Sequence, residues 1–191
     1  MGWAILGGAA LVAAPGPEIP SAWWQGKGAP KLTGFHRRGL SRRGTPYLDQ
    51  QCFLEPGNLL REAPAGEDPL ATLQQGRTWL AIRNRFLVGV GPASRGAIFV
   101  AQLKRCWPGG GDPMAHPEAV AFLAFLTRVV NVGDVVEYLY APGGTVWVRI
   151  GREAPRAFRD LELVRAMLTL EFGFDAENPE AQAELREALR R

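Results

Sequence analysis

The stretch DVVEYLYAPGGTVWVRIG, residues 134 to 151, decides the fold class of this chain. Two runs of strand formers flank Ala141-Pro142-Gly143-Gly144-Thr145. Proline presets φ for a turn, and glycine supplies the left-handed backbone that other residues resist. The pattern predicts an antiparallel hairpin with a loop of about four residues.

Downstream, Asp160 opens the helical pattern LELVRAMLTLEF, which stops at Gly173. Asn178-Pro179 starts a last helix, EAQAELREALRR, with Leu185 and Leu189 on one face and a solvated pattern of Glu and Arg elsewhere. Upstream, PEAVAFLAFLTRVV (117–130) is apolar around most of its circumference and reads as a buried helix. WPGGGDP before it reads as a loop. SRGAIFVAQLKRC (94–106) is helical in pattern, with Ser94 as a cap.

In TWLAIRNRFLVGV (78–90), Leu80, Ile82, Phe86 and Val88 share one face of a strand that Asn84 interrupts. Asp68-Pro69 caps and opens a short helix to Gln75. Residues 47–54 read as another strand, closed by Glu55-Pro56-Gly57-Asn58. Residues 15–31, rich in Pro and Gly, form an irregular lead-in or an edge strand. Strands early, helices between and after them, and no βαβ alternation predict an α+β fold, an antiparallel sheet with helices packed against one face.

The 191 residues suit one domain over 18–191. Residues 1–17 are an apolar N-terminal segment too short to span a bilayer, so no stable membrane span is expected. The segment looks like the apolar core of a signal peptide, although no Lys or Arg follows Met1. It favours export to the periplasm over the cytoplasm. Cys52 and Cys106 then become a candidate disulfide, the alternative being two buried thiols.

Two cysteines with His36 and His116 match no common zinc spacing, so no metal is expected. No phosphate loop, dinucleotide fingerprint or nucleophile elbow occurs, and no cofactor is expected. FHRRGLSRRG (35–44) holds Arg37, Arg38, Arg42 and Arg43 in a chain with 19 arginines and only three lysines. A net charge of +3, without interleaved aromatics beside the cluster, argues against nucleic acid. The cluster then either holds a small anion or is a solvated loop.

The last 60 residues resemble the end of the chalcone isomerase-like family. The match is carried by Gly133-Asp134 opening a strand, the turn Pro142-Gly143-Gly144-Thr145, Phe158 on a following helix, and Ala188-Leu189 at the close. Glu171-Phe172-Gly173 stands where that family has Trp-Leu-Gly. Further upstream, Leu32-Thr33-Gly34 with Arg38 resembles the approach to the family's long strand, and YLDQQCFL the strand itself.

The resemblance implies an open sandwich whose cleft lies between sheet and helices, with Arg38 facing a ligand's oxygen atoms. A guanidinium suits that task because it stays protonated when partly buried and offers a planar fork. Catalytic relatives close an enone ring as intramolecular lyases. They carry Thr on the long strand, where this chain has Leu48, and Tyr, Lys and Asn near a junction that here reads GPASRGAIFVAQ. Isomerase chemistry is therefore not matched.

Other relatives bind fatty acids. The expected ligand is a small apolar carboxylate such as a fatty acid, bound without catalysis by Arg38, Leu48, Arg95, Ile98, Phe99 and Gln102. The alternatives are an isomerase of an enone and a partner-binding protein with a filled cleft. Phe122, Phe125 and Leu126 read as plain core or cleft lining.

Overall fold

The computed structural model describes residues 33–40, 46–54, 67–89, 91–127, 131–172 and Arg186. The apolar segment 1–17, the lead-in, the turn at 55–58 and most of the last helix lie outside them. The described strands are β1 (Thr33–Leu40), β2 (Pro46–Leu54), β3 (Leu80–Phe86), β4 (Val135–Ala141), β5 (Thr145–Ile150) and β6 (Arg156–Arg159). They pair in sequence order, each antiparallel to the next, as one six-stranded meander. The helices are α1 (Pro69–Gln74), α2 (Pro92–Cys106), α3 (Pro117–Leu126) and α4 (Leu161–Phe172).

Side chains alternate across a strand, so register sorts the sheet into two faces. One face carries the rungs Gln50–Asn84–Val136–Ile150, Cys52–Ile82–Tyr138–Val148 and Leu80–Tyr140–Val146–Phe158. The helices cover this face, where the strands' apolar residues join Leu103, Phe122, Leu126, Leu163, Met167 and Phe172 in one core. Phe158 packs edge-on to Phe122 with ring centroids 5.3 Å apart. Phe122 and Phe125 are thus core, buried against β6.

The opposite face holds a small cluster of Phe53, Ala81 and Leu139, with Trp79 stacked on Trp147. Beside it Glu137 pairs with Arg83 at 3.6 Å and accepts from Arg149 Nε at 2.6 Å.

Capping follows the sequence in two of the three places where it is legible. Asp68 accepts from Leu70 N, with Pro69 in the first turn of α1. Asp160 accepts from Glu162 N and Leu163 N at the start of α4. Ser94 does not cap α2: the helix begins two residues earlier at Pro92, after Gly91. Proline's fixed φ suits the first helical turn and moves the boundary there.

WPGGGDP carries a 3₁₀ turn at Pro108–Gly110, and a second one follows at Pro113–Ala115. Buried Trp107 lies against Gly111 and against the His116 ring at 4.7 Å. His116 in turn reaches Asp160 (3.2 Å) and Glu162 (3.3 Å), joining the start of α3 to the start of α4.

Two expectations are corrected. The hairpin loop has three residues, because Ala141 already pairs with Thr145. Phe158 belongs to a strand, β6, and not to the helix after it. The Cys52 and Cys106 thiols are both buried and are not joined in a disulfide. No described helix is long and apolar enough to cross a membrane.

Candidate functional site

The helix-facing side of the sheet changes character at one rung. From β3 to β5 its other rungs are apolar or aromatic, but Gln50 on β2 and Asn84 on β3 stand side by side, 4% and 5% exposed. Buried amides need partners, since leaving one unmade costs about 1–3 kcal/mol. Gln50 Nε2 donates to Asn84 Oδ1 at 3.0 Å and to Glu171 Oε2 at 2.7 Å. Cys52 Sγ lies 3.6 Å from Gln50 Oε1 and donates to it. Both Nε2 hydrogens are therefore used, and the orientation of the amide is fixed by its acceptors.

Glu171 sits in the last turn of α4, one turn beyond Met167 and Leu168 and two beyond Val164, all buried. It thus occupies the apolar stripe of its helix. A carboxylate there is tolerable only with hydrogen-bond donors nearby.

Tyr138 and Tyr140 lie near this cluster, stacked with centroids 6.3 Å apart. The Tyr140 hydroxyl is fully buried and has no hydrogen-bond partner among the described residues. Burial raises its pKa well above the ordinary tyrosine range, and Glu171, Tyr138 and Cys52 raise it further. The phenol is therefore neutral at any physiological pH.

The residues named from sequence fall as follows. Leu48 is half-buried on the helix-facing side, two residues from Gln50 and paired with Phe86. Register sets Arg37 opposite Gln50. Register sets Arg38 opposite Asp49. The side chains of Arg37, Arg38 and Arg95 lie outside the described residues.

Ile98, Phe99 and Gln102 are half-buried on one flank of α2, and Phe99 packs against the core. The helix that carries them, α2, packs on α4, the helix of Glu171.

Gln50, Asn84, Tyr140 and Glu171 were not singled out by sequence reasoning. Two signals could have found them: Asn84 breaking an apolar alternation, and Glu171 replacing the family's tryptophan. Among the described residues no group of His, Cys, Asp and Glu could hold a metal ion.

No family model and no curated protein sequence matches the chain. Among solved structures it is similar to a fatty-acid binding protein of Arabidopsis thaliana, at 16% identity, with a TM-score of 0.66. That likeness covers 94% of this chain and 98% of the other. The fold is the chalcone isomerase-like open sandwich, an antiparallel sheet with helices on one face.

Proposed function

We propose that this chain is a non-catalytic binder of a small apolar carboxylate such as a fatty acid, anchored by an arginine of β1. The observation that supports this reading is the register that pairs Arg37 with Gln50, whose own side chain is buried beside Asn84 on the helix-facing side. A guanidinium there pairs with a carboxylate through two parallel hydrogen bonds, while Leu48 and Phe86 offer apolar surface for a chain. The sequence match points to Arg38 for this role, and its neighbour Arg37 is the residue opposite Gln50 in register. The shared fold with a fatty-acid binding protein supports a ligand of this class.

Leu48 stands where catalytic relatives carry a hydroxyl, which favours binding over ring closure. The test is thermal unfolding of the protein with added dodecanoate. A ligand that binds only the folded state stabilises it by about 2.7 kcal/mol at a hundredfold excess over Kd. Arg37→Ala and Arg38→Ala are each expected to reduce the shift, Arg37→Ala the more, while Arg42→Ala keeps it. A shift unchanged in both β1 variants overturns the anchor.

A further inference from the structure

Hydrogen bonds run through the Gln50 cluster in one direction. The Glu171 carboxylate accepts from Gln50 Nε2 at 2.7 Å, and the Cys52 thiol donates to Gln50 Oε1 across 3.6 Å. These two neighbours fix which end of the Gln50 amide faces which way. The second Nε2 hydrogen then meets Asn84, which answers with its oxygen, Oδ1, at 3.0 Å. Asn84 Nδ2 is thereby turned away from Gln50. It carries two N–H donors, and among the described residues nothing accepts from either. The side chain is nevertheless buried, only 5% exposed. A buried donor without an acceptor is costly and calls for a partner.

The surroundings of Asn84 show what kind of partner fits. One rung along the same side of the sheet, Leu48 pairs with Phe86, and both are half-buried. Val136, the β4 neighbour of Asn84, pairs in turn with half-buried Ile150. An oriented donor among apolar side chains suits the oxygen end of an apolar molecule.

We propose that Asn84 Nδ2 donates a hydrogen bond to the head-group oxygen of the ligand and selects carboxylate over ammonium on the same alkyl chain. A carboxylate only accepts and an ammonium only donates, so the fixed N–H pairs with the first and opposes the second. This assignment rests on the binding function proposed above. It needs nothing of Glu171 beyond the one bond to Gln50.

The experiment is isothermal titration of the protein, at neutral pH, with dodecanoate and with dodecylamine. The wild type is expected to bind dodecanoate at least about tenfold more tightly than dodecylammonium. Asn84→Asp keeps an oxygen for Gln50 but replaces the donor with a charged acceptor. Dodecanoate should then weaken by about tenfold or more, and dodecylammonium should gain affinity. Asn84→Leu, neutral and of similar size, should weaken dodecanoate by a similar factor, which separates loss of the donor from repulsion by a new charge. Thermal unfolding without ligand identifies a variant that fails to fold, and the comparison of the two ligands on the wild type needs no variant. Unchanged dodecanoate affinity in either folded variant overturns the assignment of Asn84 and leaves carboxylate binding standing. Equal affinity of the wild type for the two ligands does the same. Absence of dodecanoate binding by the wild type overturns the carboxylate reading itself, and this selection with it.

Discussion

Gln50 and Glu171, 121 residues apart in the chain, meet at 2.7 Å and tie the last turn of α4 to the second strand of the sheet. The bond is charge-assisted and partly buried, which makes removal of one partner worse than removal of both. Gln50→Leu leaves the Glu171 carboxylate without this donor and is expected to destabilise the protein by about 1–3 kcal/mol. The double variant with Glu171→Leu should cost less than the sum of the singles, with a coupling of at least about 0.5 kcal/mol. Urea unfolding of the four proteins measures this, and simple additivity would show that the contact contributes nothing.

Gly144 is required in the hairpin loop for two reasons. Its φ is +86°, a left-handed conformation, and a Cβ there would lie 2.8 Å from Leu161 Cα and 3.0 Å from Leu161 N. The backbone at the start of α4 cannot yield as a side-chain tip would. Gly144→Ala is expected to cost at least about 2 kcal/mol. Gly143, also left-handed but with open space around its Cβ position, should tolerate alanine better. Equal melting temperatures for the two variants would refute the close approach.

Asp68 serves two masters at the start of α1. It accepts from Leu70 N at 3.1 Å and takes a two-pronged pair from Arg186, at 2.9 and 2.7 Å. Asp68→Asn keeps a cap but loses the charge, so it should cost no more than about 1 kcal/mol, the range of exposed ion pairs. Asp68→Ala loses both, adding about 0.5–2 kcal/mol for the cap. If Asn proves as damaging as Ala in thermal melts, the pair with Arg186 dominates and the cap is incidental.

Stability should fall on the alkaline side. Burial pushes the Cys106 thiol up to about 11 from an ordinary 9.0, against a smaller opposing pull from Arg105. Between pH 9 and 11 the unfolded chain therefore loses this proton while the folded one keeps it. The folded state binds more protons there, and stability declines as pH rises. Tyr140, whose pKa burial also raises, adds to the decline above pH 10. Melting temperatures from pH 8 to 11 should drop more steeply for the wild type than for Cys106→Ala. Below pH 9 the thiol should resist alkylation in the folded protein, because the thiolate is the reactive form.

The sequence made the sheet legible where turn chemistry is strong and silent where pairing is long-range. Pro142-Gly143-Gly144 permits little except a hairpin, and Asp160 before an apolar helical stripe marks α4. β6 was missed because RAFR is four residues long and its one fully buried side chain, Phe158, carries no period. Its strand character comes from pairing with β5. The site was harder still. Asn84 is visible in sequence only as a flaw in an alternation, and Glu171 only as an acid on an apolar stripe. That the two share Gln50 depends on the β2–β3 register and on where α4 crosses the sheet. The choice between Arg37 and Arg38 is likewise a matter of strand parity, which one residue of slip would reverse.

The most direct test of ligand binding is native mass spectrometry of the purified protein, followed by denaturing extraction of whatever it retains. An apolar carboxylate is expected at one per chain, absent from Arg37→Ala prepared in the same way. A wild-type protein that emerges empty, and stays empty after incubation with dodecanoate, would contradict the account.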